Sequence, residues 1–456
     1  MNTTTTTAVE TVVARAGAQL AARMPDHVEH LRWDGDRLAA YQRERLRLLL
    51  RHALEHSPFH ARRLGRLDPD RFEIENLAGL PTMSKAEMMA SFDDVVTDRR
   101  LSRRLVEDHL SHSTGEPRLL LDDYVCLASG GSSGLRGMFV LRLEEFVELG
   151  ASVMRPGAAR QIAAGTSSPG MVIAAIMAHS SVHASGFGVS VMSGPVRFVS
   201  VPATLPMTDA VHRLNVLQPP ALMGYPSKLS ELAREQIAGR LAISPRSITS
   251  TSERLTADAR ALITGAFGVP VVDQFASTEG VVGYSDPGGS VLTFATDMCL
   301  IELVDARNRP VAYGETSTRV LVTNLYNLTQ PLIRYELDDR FARFPDIHGS
   351  GYLRAEVGGR SLEPFRYGPL EVHAVVIDVV MMKNASITEY QVRQTPSGVD
   401  ADVVVHGRIE PDEVARAIVA GLRDAGLANA TATVSVVDAI PRHPETGKVR
   451  RFIALR

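Results

Sequence analysis

The stretch Ala128-Ser129-Gly130-Gly131-Ser132-Ser133-Gly134-Leu135-Arg136-Gly137 sets four glycines and three serine hydroxyls within ten residues. Glycine lets a backbone take positive φ and bring its N–H groups close to an anion, and serine adds O–H donors, so this composition suits the wrapping of phosphate. The pattern is not that of the P-loop NTPases, in which Gly-Lys-Ser/Thr places an ammonium on the phosphates; here Leu135 and Arg136 follow Gly134. Taken alone, the stretch reads equally well as a surface turn. What decides between the two is the rest of the chain.

The elements needed to position such a segment are present. Tyr124–Leu127 and Met138–Leu141 read as strands on either side of it, and Glu144–Arg160 as a helix. Met171–Met177, Val196–Val201, Ala221–Met223 and Val269–Asp273 are short apolar runs, with helical patterns at Lys228–Ile237 and Thr256–Phe267. Continuous apolar strands alternating with helices predict parallel, doubly wound α/β layers whose ligands bind at the carboxyl ends of the strands. Upstream, Leu46, Leu49, Leu50, Ala53 and Leu54 recur at helical spacing and predict a helix with one packed stripe within 39–64. Downstream, short strands at 291–294, 299–304, 319–324, 332–335 and 352–357 predict a β-barrel-like subdomain. The tail, with strands near 386–394, 401–405 and 432–436 and a helix at 411–425, predicts a small α+β domain.

At 456 residues the chain is too long for one core. Its 45% hydrophobic and 22% charged content is that of a soluble globular protein, and a net charge of −3 gives no footprint for nucleic acid or an anionic membrane. Cys126 and Cys299 read as reduced, buried thiols, consistent with a cytoplasmic location. Residues 161–196 carry no Asp, Glu, Lys or Arg, but seven Gly and Pro residues interrupt them. A membrane helix needs about 20 continuous apolar residues, so this region reads as buried and pocket-lining. Lysine occurs only at Lys85, Lys228, Lys383 and Lys448 among 49 basic residues, so a lysine placed in a motif carries information.

Six separated segments, in order, resemble the motifs of the adenylate-forming superfamily of acyl-CoA ligases. Ser129–Gly134 is similar to its Ser/Thr-Gly-Thr-Thr-Gly loop, without the Lys and Pro that commonly follow. Ser252-Glu253-Arg254-Leu255 resembles its Gly-Glu-x-Leu turn, with Ser252 in place of Gly, and Gln274-Phe275-Ala276-Ser277-Thr278-Glu279-Gly280 its Tyr-Gly-x-Thr-Glu motif. Tyr335-Glu336-Leu337-Asp338-Asp339 is similar to Tyr-Arg-Thr-Gly-Asp, and Gly358-Gly359-Arg360 to the Gly-Arg at a domain junction. Pro441-Arg442-His443-Pro444-Glu445-Thr446-Gly447-Lys448 resembles the terminal Pro-Arg-x-x-x-Gly-Lys loop. Leu49-Leu50-Arg51-His52-Ala53, His56-Ser57-Pro58-Phe59 and Leu80-Pro81-Thr82-Met83-Ser84-Lys85 look like phenylacetate–CoA ligase relatives in particular.

The resemblance implies an N-terminal adenylation domain over 1–358 and a mobile lid domain over 359–456 that carries Lys448. It implies that Ser129, Gly130, Gly131, Ser132, Ser133 and Gly134 meet the ATP phosphates. Ser252, Glu253 and Arg254 would lie against adenine, with Phe275 stacked on it beside Ala276 and Ser277. Thr278 would bond a phosphate, Glu279 would hold Mg²⁺, Asp339 would bond the ribose hydroxyls, and Arg360 would contact ribose or phosphate. Lys448 would reach the carboxylate and α-phosphate. The implied reaction joins a carboxylic acid to ATP, giving acyl-AMP and pyrophosphate, and then transfers the acyl group to CoA. A carrier-protein phosphopantetheine or a nitrogen nucleophile is the alternative acceptor. A third reading is a nucleotide-binding homologue without catalysis. From the residues themselves, the uncharged stretch after Met171 predicts an apolar slot for an aromatic or similarly flat acid among His179, His183, Phe187, Tyr225 and Ala276. Each of these residues reads equally well as core. A homo-oligomer is compatible with the sequence.

Overall fold

The computed structural model describes residues 3–455 apart from 114–115, 129–136, 166–169, 178–180, 193–195, 204, 338, 348, 361–364, 373–375, 378–379, 382–383, 385, 406 and 443–449. The chain divides into two compact units, Met1–Gly359 and Arg360–Arg456.

In the larger unit the leading helix, Thr3–His30, packs along the helix Leu143–Ala163, burying Ala16 and Leu20. The helix expected within 39–64 is two helices, Gly35–His56 and Pro58–Leu64. The break has a local cause. A residue before proline is pushed out of the helical region, and Ser57 sits at φ −110°, ψ 107°, where its hydroxyl caps the second helix at the His60 N–H.

Nine strands form the central sheet. Their order is Asp339–Phe344, Arg354–Arg360, Leu292–Phe294, Val282–Ser285, Val271–Ala276, Ser247–Thr251, Ala221–Gly224, Met171–Met177 and Val196–Pro202. The last five are mutually parallel, and their apolar runs are covered on both faces. Phe146, Phe187 and Val191 belong to the core on one side; Leu214, Leu229, Leu232 and Ile263 belong to a second core on the other. From Met171–Met177 the chain steps outward to Val196–Pro202, then returns past it to Ala221–Gly224, and advances the other way thereafter. That reversal is a topological switch point, where a crevice opens at the carboxyl ends of the strands.

The strands expected as a barrel-like set are divided. Leu292–Phe294 and Arg354–Arg360 extend the large sheet, whereas Cys299–Val304, Arg319–Asn324 and Tyr335–Leu337 make a separate antiparallel sheet. Apolar alternation marks strands but not their partners. The last of these strands starts at Tyr335 instead of Leu332 because Arg334 takes φ +51°, which ends any extended run before it. The strands Tyr124–Ala128 and Met138–Arg142, which flank the Gly/Ser segment, form a hairpin sheet of their own.

The smaller unit has a four-stranded sheet in the order Thr431–Val436, Gly398–Val405, Ile387–Thr395, Phe452–Ile453. The helix Pro411–Asp424 lays Val414, Ile418 and Leu422, at i, i+4 and i+8, into one core with Val392, Ala401 and Val403.

His60 gives the fold a pH dependence. Its ring is fully buried, with Nε2 3.0 Å from the carbonyl oxygen of Pro331, and burial lowers its pKa to about 3. The unfolded chain binds the proton first, so stability falls as pH drops below about 6.5, by up to about 1.4 kcal/mol per pH unit for one such group. His60→Asn is expected to flatten the decline in melting temperature between pH 7 and pH 5. A slope equal to wild type would show that His60 is charged in the folded chain.

Candidate active site

Strand register brings three of the expected segments to one edge of the sheet. Ile176 pairs with Gly224, Gly224 with Ser250, and Thr251 with Gln274, so these parallel strands end level with one another. Tyr225, Ser252–Arg254 and Ala276–Glu279 therefore emerge side by side at the carboxyl edge.

At the switch point, Tyr225 donates its N–H to the Ile176 carbonyl at 3.2 Å, and a Cβ on Gly224 would lie 2.7 Å from that same oxygen. Only glycine permits so close an approach. The Tyr225 side chain is buried in a small apolar cluster with Ala175, Met177 and Ala203, flanked by Val189, Phe198 and Met223. Ser252, at the position where the resembling motif carries glycine, holds φ +67° in the left-handed region. The backbone thus has the shape the glycine would confer, even with a side chain present. Glu253 reaches across to the neighbouring turn, where its carboxylate accepts from the Ser227 N–H at 3.3 Å in the first turn of the helix Pro226–Ile237, a placement the helix dipole favours.

Phe275 is half-buried. It meets Phe341 edge-on at 5.3 Å and Phe294 at 6.0 Å, and those two rings stack at 4.8 Å. Asp339 lies two residues before Phe341 in the same strand, so both sit on one face, which brings Asp339 toward Phe275. Ser277–Gly280 is a tight turn closed by the Gly280 N–H on the Ser277 carbonyl at 3.0 Å. Gly280 has φ +103°, and a Cβ there would fall 2.3 Å from Asn324 Nδ2 and 2.4 Å from the Tyr326 hydroxyl. Thr278 is half-buried, and Glu279 is 8% exposed. Asn324 Nδ2 donates to the Glu279 carbonyl at 2.9 Å. Among the described residues the Glu279 carboxylate has no hydrogen-bond partner.

His183 Nδ1 lies 3.3 Å from the Ala128 carbonyl, and the Ala128 N–H donates to Val182 at 2.9 Å. The turn before the helix Ala184–Val191 is thereby joined to the residue from which the Gly/Ser segment departs. Phe187 turns the other way, into the core, with its ring edge-on to Phe146 at 5.0 Å. Ser129–Gly134, His179, Lys448 and the Arg360 side chain lie outside the described residues; the Arg360 backbone ends the strand Arg354–Arg360.

Two groups were passed over in the sequence. Burial raises the Asp273 carboxyl to about 6 against the opposing pull of Arg260, 3.9 Å away, on the strand that leads to Ala276. Asn324 carries no motif, and its link to Glu279 spans 45 residues of chain. The two cysteines are buried free thiols, as expected, and burial pushes Cys126 up to about 12. Among the described residues no three His, Cys, Asp or Glu side chains converge on a metal-sized site, and no helix is long and apolar enough to cross a membrane.

A large α/β domain followed by a small one, built in this way, is the fold of the adenylate-forming enzymes. One solved structure that the chain is similar to is 2-hydroxyisobutyryl-CoA ligase. In its postadenylation state, in complex with 2-HIB-AMP, that enzyme superposes with a TM-score of 0.66 and 17% identity over 91% of this chain and 89% of its own. In its thioesterification state, with 2-HIB-AMP and CoA, the TM-score is 0.55 at 18% identity, with the same shares covered. By sequence, 133 residues are 29% identical to Protein CapK of Staphylococcus aureus, a match that spans 28% of this chain and 28% of that relative. No family model matches the chain.

Proposed function

We propose that the chain activates a small carboxylic acid with ATP, releasing pyrophosphate, and passes the acyl group from acyl-AMP to the thiol of CoA, in the manner of phenylacetate–CoA ligase. The observation that supports this most is the shared carboxyl edge: the Tyr225, Ser252–Arg254 and Phe275–Glu279 turns end level there, with Ser252 in the left-handed backbone that the resembling motif assigns to glycine.

In this reading one oxygen of the acid's carboxylate attacks the α-phosphorus, and the bond to the pyrophosphate oxygen breaks. The protein's contribution is to position the groups and offset their charge. Phe275, seated on Phe341 and Phe294, offers a ring to the adenine, and Asp339 on the same face accepts from the ribose. Thr278 donates to a phosphate. The Glu279 carboxylate, which offers oxygen ligands and has no hydrogen-bond partner among the described residues, fits a magnesium ion, which takes one or two carboxylates together with substrate phosphates. Such an ion would offset phosphate charge. Tyr225, Met177 and Phe198 make the apolar surroundings of an acid-binding slot suited to a flat, aromatic acid, with Ala276 at its rim.

Pyrophosphate exchange and AMP release, measured across benzoate-, arylacetate-, cinnamate- and fatty-acid-type substrates with and without CoA, test the reading. Mg²⁺-dependent AMP and pyrophosphate are expected, with aromatic acids preferred and selectivity altered in Ala276→Leu. Release of ADP and phosphate overturns adenylation; preference for a long aliphatic chain, or unchanged selectivity in Ala276→Leu, overturns the assigned pocket. An adenylate that forms but is not taken by CoA would move the acceptor to a carrier protein or an amine.

A further inference from the structure

Among the described residues, neither strand of the hairpin Tyr124–Ala128/Met138–Arg142 shares a backbone ladder with the nine-stranded sheet. Its placement against the Thr278–Glu279 turn therefore rests on other contacts, and three side-chain amides supply a continuous set. Asn324 donates from Nδ2 to the Glu279 carbonyl at 2.9 Å, and its Oδ1 accepts the N–H groups of Tyr326 at 3.0 Å and Asn327 at 2.9 Å. Asn327 donates from Nδ2 to the Val140 carbonyl at 3.2 Å and accepts the Gln330 N–H at 2.9 Å. Gln330 accepts the Val140 N–H at 2.8 Å and donates to the Met138 carbonyl at 3.1 Å. A carboxylate completes the grip: Glu145 accepts from Leu328 N–H at 2.8 Å, Thr329 N–H at 3.1 Å, the Thr329 hydroxyl at 2.7 Å and the Arg142 N–H at 2.7 Å.

Met138, Val140 and Arg142 alternate along the strand, so the loop 324–330, at Met138 and Val140, and Glu145, at Arg142, cover the edge that a third strand would otherwise occupy. The three amides are 1%, 2% and 0% exposed. Buried amides are unfavourable unless paired, and a chain of paired ones admits few alternative arrangements. An edge needs only to be covered, whereas this loop also fastens that edge to the backbone of Glu279.

We infer that Asn324, Asn327 and Gln330 are positioning residues for the nucleotide: they hold the strand Met138–Arg142 in register with the Glu279 turn. The inference rests on the adenylation reading, in which the sequence leading into that strand and the Glu279 turn both meet the phosphates of ATP.

The test titrates the full chain with MgATP and, separately, with AMP, which keeps adenine, ribose and α-phosphate but lacks the pyrophosphate portion. Gln330→Met preserves volume while losing both bonds to the strand. Asn324→Ala removes the donation to Glu279 together with its two acceptor bonds, without adding a charge. In each variant the affinity for MgATP is expected to fall about tenfold, the scale on which outer supporting partners are felt, with AMP affinity unchanged. The double variant is expected to be no weaker than the poorer single one, because both interrupt one chain of bonds. Equal losses for both nucleotides with a lowered melting temperature would mean that the amides serve the fold alone, and unchanged MgATP affinity would equally overturn the inference. A wild-type chain that binds AMP but gains nothing from the pyrophosphate portion overturns the inference alone, whereas one that binds neither nucleotide removes the adenylation reading with it.

Discussion

Lys448→Ala is expected to slow acyl-adenylate formation by about 10²- to 10³-fold, the loss typical when one charge-stabilising donor is removed from a transition state. Charge gathers on the α-phosphate as the carboxylate attacks, and the resemblance of the terminal loop implies that Lys448 would be the cation that meets it. Thioester formation from supplied acyl-adenylate and CoA is expected to change far less, because that step involves no incoming charge at phosphorus. Measuring pyrophosphate exchange without CoA, and thioester release from synthetic acyl-adenylate, separates the two halves. Equal losses in both would remove Lys448 from its assigned role. Lys448→Arg is expected to restore only part of the rate, since a planar guanidinium does not reproduce a compact ammonium.

The second large effect concerns stability. Arg155 and Asp297 are both fully buried and form two hydrogen bonds, at 2.5 and 2.7 Å, and His30 Nδ1 lies 2.9 Å from the same carboxylate. Burial by itself would raise the Asp297 carboxyl, but the Arg155 guanidinium and His30 hold it well below the usual carboxylate range. Asp297→Ala leaves a buried guanidinium without its partner, which costs about 3–5 kcal/mol. The double variant Arg155→Met/Asp297→Leu is expected to recover most of that loss, because replacing both charges by apolar groups is often neutral. Denaturant unfolding of the single and double variants checks this; a single variant within about 1 kcal/mol of wild type would mean that the pair is solvated. The pH sign also separates this pair from His60. A carboxylate with a depressed pKa contributes stability above the unfolded value of about 3.9 and loses it only in stronger acid. The decline between pH 7 and pH 5 therefore belongs to the histidines.

The parallel strands and their helices are legible in the sequence because each is a local pattern: Met171–Met177 is a continuous apolar run, and Leu229, Leu232 and Ala233 repeat at helical spacing. The turns after the strands are legible because Gly224, Gly280 and Ser252–Glu253 are adjacent in the chain to the strands they end. What escapes such reading depends on contacts between distant residues. Arg155 reads as a solvated charge on a helix, and only the fold brings Asp297, 142 residues away, against it. Asn327 and Gln330 look like ordinary polar residues of a turn until Val140 is found beside them. Arg334 reads as part of a strand; its left-handed backbone and its paired hydrogen bonds to Glu302, both at 2.9 Å, belong to the tertiary structure.

The level carboxyl edge has an evolutionary consequence. Two of the turns there belong to their own strand–helix units: separate helices, Pro226–Ile237 and Ala257–Phe267, follow the Tyr225 and Ser252 turns. The Phe275–Gly280 turn instead leads back into an antiparallel strand, and its close fit to Asn324 and Tyr326 leaves no room for a Cβ at Gly280. Selection can thus act on one turn at a time. Under the proposed assignment, a lineage with this architecture would drift to a new acid through point changes around Tyr225 while its nucleotide chemistry stayed locked in place, so descendants would share a reaction long after they had ceased to share a substrate.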